Sequence, residues 1–290
     1  MLISIYLILL FYLSKTMIRK AYKYRIYPNT EQKEFFAKCF GCVRFFYNKS
    51  LSDMNDIYKT TGKMKNITPA SYKEDYLFLK EVDSLALSNA QLNRNIAFKG
   101  FFSHKSGFPK FKSKRNNQSY TTNNQKGSVK ISDNHRYISV PKCPRIRIKM
   151  HRTFIGTIKS ITVSRTTDNK HYISLLVETN IEPLEPTNKM IGLDLGIKDL
   201  IVDSNGHKYK NHKYLTKSQV KLAKEQRKLS KMVKGSNNRN KQSIKVARLH
   251  KKIQNQRNDY LHKLSRLIID ENQVIVLEDL KVKDMEQNTK

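Results

Sequence analysis

Acidic residues are scarce in this chain. Aspartate and glutamate number 24 against 56 lysines and arginines in 290 residues, a formal net charge of +32. Such an excess repels itself in a compact fold unless an anion sits beside it. Nucleic acid is therefore the expected partner, ahead of a membrane surface. Acidic disordered proteins and ordinary small-molecule enzymes fit this balance poorly. Cysteine is scarce as well: Cys39, Cys42 and Cys143 cannot build a disulfide framework, and a reducing, cytoplasmic setting is expected. Cys39-x-x-Cys42 has no second pair and lies among Phe35, Phe36, Phe40, Phe45 and Phe46, so buried thiols are expected rather than a zinc site. The apolar run at 2–13, LISIYLILLFYL, falls short of the roughly 20 residues a spanning helix needs. It also lacks the charged start and cleavage site of a secretory signal. Residues 1–17 are expected to be a leader that is not native, with translation starting at Met17. No GxxxxGK[ST] and no H-E-x-x-H occurs, so ATP use has no support, and His212, His250 and His262 are expected on the surface or beside phosphates.

What is present suffices for a fold: 38% hydrophobic and 10% aromatic residues, in a length that suggests about two domains. Residues 20–27, KAYKYRIY, alternate like a strand and stop at Pro28. Asn29 and Thr30 then offer helix caps, with Glu31 and Glu34 in the first turn. Phe36, Phe40, Val43 and Tyr47, with Phe35, Cys39 and Phe46, predict a helix buried on a wide face. A second helix is expected near 51–59. A third is expected over about 84–103, with Leu85, Leu92, Ile96 and Phe101 on its face. From His104 to Arg152 there are 13 Lys/Arg and one acid, Asp133. Alternating runs at 128–132, 137–140, 145–150, 158–165 and 171–178 predict an antiparallel sheet or barrel that includes 20–27, with the helices inserted in it.

Pro183 and Pro186 mark a linker over 183–188. Beyond it the pattern predicts a strand, a glycine turn, a second strand and an Asn-Gly turn. Two basic helices over 215–271 follow, joined at GSNN (235–238). Leu222, Leu229 and Met232 or Val233 would line the first, and Val246, Ile253, Tyr260 and Leu267 the second at heptad spacing. VIVLEDL (274–280) reads as a buried strand ending in acids.

Two carboxylates stand out, Asp194 in IGLDLG and Glu278 in VIVLEDL. A carboxylate inside an apolar strand is costly unless paired, hydrogen-bonded or bound to a metal. Two of them on core strands of so basic a chain suggest a Mg²⁺-type site. Asp194 as a turn former and Glu278 as a helix start are the bland alternatives. Among the cations, Lys110, Lys112, Lys114 and Arg115 of GFPKFKSKR suit phosphates, and Phe108 and Phe111 beside them are expected slightly more as core than as base-stacking rings. RIRIKMHR would put Arg145, Arg147, Lys149 and Arg152 on one strand face with Ile146, Ile148 and Met150 inward. Between Lys208 and Lys263 there are 18 Lys/Arg against Glu225 and Asp259, so Lys224, Arg227, Arg248, Lys252 and Arg257 are candidates for a polyanion groove.

These stretches together carry a resemblance. AYKYRIYPNTEQ, GCVRFFYN, GFPKFKSK, IKSITVSR, IGLDLGIKDL, LHKKIQNQRNDYLHKLSR and VIVLEDLKVKDM, in this order from Ile18 onward, resemble the OrfB (TnpB-type) proteins of insertion-sequence transposons, relatives of the type V CRISPR effectors. The resemblance implies an α+β chain. A wedge-type β-barrel (18–28 plus 105–182) would carry a helical recognition insertion (29–104). An RNase H-like (RuvC-like) α/β domain with a long helical hairpin would follow from 189, incomplete because the given sequence stops at Lys290. It implies RNA-guided, Mg²⁺- or Mn²⁺-dependent DNA cleavage, with a guide RNA from the transposon end and Asp194 and Glu278 as the first and second catalytic acids. Family members continue to a zinc ribbon and a third catalytic aspartate that this sequence does not contain. The expectation is therefore impaired cleavage and no zinc, with a non-catalytic RNA/DNA-binding regulator or remnant as the alternative.

Overall fold

A computed structural model describes residues 16–115, 117–181 and 185–278. The expectations for 1–15 and for 279–290 lie outside the described residues. The chain divides into two compact units, Met1–Glu182 and Pro183–Lys290.

In the first unit β1 (Thr16–Tyr27) leads into α1 (Thr30–Thr61). Two short 3-10 helices, Pro69–Tyr72 and Leu77–Lys80, come before α2 (Ser84–Phe102). Six strands follow: β2 (Gln118–Asn123), β3 (Lys130–Ile131), β4 (Tyr137–Val140), β5 (Cys143–Lys149), β6 (Thr157–Arg165) and β7 (His171–Ile181). They form one curled antiparallel sheet in the order β2-β6-β7-β1-β5-β4-β3. β1 is its spine: it pairs with β7 from Thr16↔Ile181 to Ile26↔His171, and its last residues also pair with β5, Arg25↔Lys149 to Tyr27↔Arg147. Strand alternation puts Tyr22, Tyr24 and Ile26 inside with Ile146, Ile148, Ile161, Val163, Ile173, Leu175 and Val177.

α1 opens with a reciprocal capping box: Gln32 N–H donates to Asn29 Oδ1 (2.8 Å) and Asn29 N–H to Gln32 Oε1 (3.0 Å). It runs unbroken to Gly62, which closes it at φ 66°. The separate helix expected near 51–59 is thus the end of α1. No glycine or proline interrupts 43–61, and Ser50, Leu51 and Met54 prolong the buried stripe. α2 lies where expected but turns a different face inward. Ala86, Leu87, Ala90, Arg94 and Phe98 are buried, while Leu92 and Ile96 are 53% and 66% exposed. Small Ala86 and Ala90 allow close approach to the rest of the unit. Fully buried Arg94 donates to Ile67 O at 3.0 Å. The three cysteines are buried and free, as the core reading requires, and burial pushes the Cys39 thiol up.

The second unit has a four-stranded sheet, β10-β9-β8-β11, from β8 (Met190–Leu195), β9 (Asp199–Asp203), β10 (Lys208–Lys210) and β11 (Val274–Leu277). β8 and β11 are parallel, and the other pairs are antiparallel. The crossover contains α3 (Tyr214–Ser230) and α4 (Asn237–Glu271). Ile191, Leu193, Leu264 and Ile268 form the buried core, with Ile201, Tyr209, Tyr260 and Ile275 packed against it. The expected heptad holds for Val246 and half-buried Ile253 and Tyr260, then fails: Leu267 is 47% exposed, and Leu264 and Ile268 are buried instead. A straight helix of 3.6 residues per turn drifts off a 3.5 repeat, and the end of α4 faces the sheet. β11 also departs from the buried strand expected, since Val274, Val276 and Leu277 are exposed. The two helices are joined by polar bonds: Gln242 Nε2 donates to Glu225 Oε2 (2.7 Å) and Glu225 O (3.1 Å), and Arg239 Nη1 donates to Leu229 O (2.6 Å) and Met232 O (2.9 Å). Among the described residues no helix is long and apolar enough to cross a membrane.

Candidate functional site

The strand β8 sorts its residues by side. Ile191 and Leu193 face α4, so Gly192 and Asp194 take the other face. The residue after β9 braces this strand: Ser204 N–H donates to Gly192 O (2.8 Å), and Gly192 N–H donates to Ser204 Oγ (3.2 Å). Glycine at 196 is required by close approach, since a Cβ there would meet Asp199 O at 2.8 Å. The parallel β8–β11 pairing ends at Leu193↔Leu277. Asp194 is the next residue of β8 and Glu278 the first residue beyond β11, so continuing the register sets the two backbones side by side about 4.8 Å apart. Both are exposed. The cost of burying a charge, which singled them out in the sequence, therefore does not apply; what unites them is register.

Asp203 is the nearby acid that the register excludes. It pairs with Leu193 and so shares the core side. Burial works to raise its pKa, but the N–H groups of His207 and Asn205, each 2.9 Å from Oδ1, and the His207 ring hold it below the usual range. It anchors the Asn-Gly turn. Among the described residues no three His, Cys, Asp or Glu side chains are grouped as a metal site. Asp194 and Glu278 fit Mg²⁺ or Mn²⁺ in donor chemistry and offer two carboxylates, leaving other positions to water and phosphate.

Most of the candidate cations of the first unit lie in two places. In 107–115, Lys110, Lys114 and Arg115 are exposed. Phe108 and Phe111 are 48% and 59% exposed, against the core expectation; buried Pro109 takes the inward place. Phe108 packs edge-on against Phe98 and Phe101, 5.8 and 5.2 Å away. Lys112 differs from its neighbours. Its Nζ lies 4.1 Å from the Tyr47 ring centre, its N–H donates to Asn48 Oδ1 (2.8 Å), its carbonyl accepts from Asn48 Nδ2 (2.9 Å), and burial lowers its pKa. It ties the loop to α1.

On β5, Arg145, Arg147 and Lys149 are exposed while Ile146 and Ile148 are buried, as the alternation predicts. Pairing adds residues that the linear sequence did not connect with them. Arg147 lies opposite Tyr27 and Tyr137, Lys149 opposite Arg25, and Arg25 opposite Tyr172. Arg25 stands 5.0 Å from the Tyr27 ring and 5.5 Å from Tyr172, Lys23 is 5.1 Å from Tyr172, and Arg145 is 5.1 Å from Tyr137. Among the described residues none of these five cations is ion-paired to an acid. Lys23 and Arg25 alternate with the inward Tyr22, Tyr24 and Ile26 in KAYKYRIY, so the signal was there, but only register joins it to β5. Arg152 stands apart, 4.9 Å from the inward-facing Tyr22 ring. On the hairpin, Lys224, Arg227, Arg248, Lys252 and Arg257 are all exposed.

The first unit's sheet with inserted helices and the second unit's mixed sheet make a fold that has a counterpart among solved structures. A chain in a cryo-EM structure of a Cas12f1–sgRNA–target DNA complex matches with a TM-score of 0.55 over 94% of this chain and 83% of that one; at 15% identity this is a likeness of fold. The sequence profile of the IS605 OrfB family, described as "Probable transposase", matches residues 171–289, and its "Helix-turn-helix domain" profile matches 17–63. In this chain 17–63 is β1 and the unbroken α1. A "Putative RNA-guided DNA endonuclease" of Streptomyces pristinaespiralis is 33% identical over 94% of this chain and 70% of its own length. The "Putative RNA-guided DNA endonuclease InsQ" of Escherichia coli K12 is 32% identical over 93% and 68%. The chain belongs to the OrfB family of IS605-type transposases.

Proposed function

We propose that this chain is an RNA-guided, metal-dependent DNA endonuclease of a transposable element, acting in the cytoplasm. The observation that carries the reading is the matched level of Asp194 and Glu278 at the ends of parallel β8 and β11. The names of the two relatives support it. In this reading 18–28 plus 105–182 is the wedge-type barrel, 29–104 the recognition insertion, and the unit from 189 an RNase H-like domain. Asp194 and Glu278 would hold Mg²⁺ or Mn²⁺, which when bound activates water and stabilises the leaving oxygen of a phosphodiester. The Ser204–Gly192 brace fixes the strand from which Asp194 projects. A guide RNA from the transposon end and the target DNA would lie on the basic surfaces, held mainly through their backbones.

The test is cleavage of guide-matched DNA by the full chain with its guide RNA, in Mg²⁺ and in EDTA. Weak cleavage is expected in Mg²⁺ and none in EDTA. Asp194→Ala is expected to abolish it and leave RNA affinity unchanged. Guide binding by the wild-type chain with no metal-dependent cleavage would replace this reading with a non-catalytic RNA-binding protein.

A further inference from the structure

The segment that leads from β10 into α3 folds back onto α4. Asn211 Nδ2 donates to Ile197 O (2.9 Å), Lys213 N–H donates to Asn211 Oδ1 (3.2 Å), and Lys213 takes a left-handed backbone at φ 45°. The turn sets His212 edge-on against Tyr260 of α4, ring centres 4.5 Å apart, and 5.3 Å from Tyr214. Between this turn and α4 lies a cavity of about 390 Å³, floored by Leu200 and Ile253. Its volume falls in the range of about 300–1,000 Å³ typical of small-ligand pockets.

The permanent charges around this cavity are of one sign. Lys213, His250 and Arg257 line it, and no acid does. Among the described residues Arg257 has no hydrogen bond or ion pair, and neither the Tyr214 and Tyr260 hydroxyls nor the His212 ring nitrogens have a hydrogen-bond partner. The α3 N-terminus carries no side-chain cap, so its first amides add positive potential to the same side. Rings over an apolar floor suit the face of a planar heterocycle, and free Tyr and His groups suit its polar edge. Cations without acids suit a phosphate beside it.

We infer that this cavity receives a single unpaired nucleotide, its base against His212, Tyr214 and Tyr260 and its phosphate at Arg257. The inference rests on the nucleic-acid reading above and concerns a place separate from the Asp194–Glu278 pair. A duplex keeps its bases stacked inside and cannot present one here without flipping it. The discrimination to measure is therefore single strand against duplex.

The experiment titrates the full chain with three probes: an unstructured 12-nucleotide RNA, the DNA of the same sequence, and a 12-base-pair RNA duplex. The variants are Tyr214→Ala and Arg257→Gln, the second at an exposed position where folding is not at stake. Each is expected to weaken single-strand binding by about tenfold and to leave the duplex within about twofold. A 4-thiouridine RNA is expected to crosslink to the wild-type chain at residues 212–214 or 260. The better single-stranded probe identifies whether the nucleotide comes from RNA or DNA. Equal loss for single strand and duplex, or no loss in either variant, overturns the pocket while the nucleic-acid reading stands. A wild-type chain that binds none of the probes overturns both.

Discussion

The two units spend their apolar residues differently. In the first, one continuous core runs from Tyr22 through α1 and α2 to Val177. In the second, the core cluster holds four buried residues among those described, Leu222 and Val246 are buried apart from it on the hairpin, and Ile197, Val220 and Val233 are each more than three-quarters exposed. Stability follows apolar area removed from water, at about 25 cal/mol per Å². The first unit is thus a packed scaffold presenting its cations on a rigid sheet, whereas the second, which carries the carboxylate pair, rests on a thin core, a strand ladder and helix-to-helix polar bonds.

The sharpest way to break this contrast is a pair of core truncations. Phe46, fully buried beside Tyr72 and Arg94, is expected to cost about 4 kcal/mol as Phe46→Ala. Ile268→Ala in the second unit is expected to cost about 2 kcal/mol, because a thin core relaxes around the gap. Urea unfolding followed by circular dichroism measures both, and equal costs would end the contrast. Acid comes next. Burial first, then Arg165, Lys33 and Arg25, push His171 down from 6.5 to about 4. The folded state holds this ring neutral, so its contribution is complete above pH 6.5 and is lost as pH falls toward 4. The loss is expected to reach about 3 kcal/mol and to vanish in His171→Phe, read from unfolding midpoints at stepped pH. The smallest effects compare two helix starts. Asn29→Ala removes the α1 capping box and is expected to cost about 1 kcal/mol. Lys213→Gly relieves a left-handed lysine at the uncapped α3 start and is expected to gain about 0.5 kcal/mol. Thermal melts of the two variants should move in opposite directions.

Much of the fold was legible in the sequence because strand alternation there reports a sheet with one wet face. β4 to β7 lie within a few residues of the runs that predicted them, and Asn29 caps α1 as expected. Which face of a helix turns inward was less legible. Leu92 and Ile96 have helical spacing, yet small Ala86 and Ala90 allow the closer approach. Asp194 and Glu278 were picked out for a desolvation cost that exposed carboxylates do not incur. Their shared level, the Lys23–Arg25–Tyr172 set beside β5, and the meeting of His212 with Tyr260 all depend on cross-strand register or a loop's return, which no local pattern encodes.

The bond from Gln242 to Glu225 has a mechanical consequence. Both residues are buried, and the carboxylate is held below its usual range first by Gln242 and then by Lys245. Sliding α4 by one turn, about 5.4 Å, would leave that buried charge without its donor. The hairpin therefore behaves as a keyed shaft with one axial setting. A load applied at its Gly235 tip moves α3 and α4 as one beam instead of shearing them past each other, and so reaches the base of the hairpin undiminished.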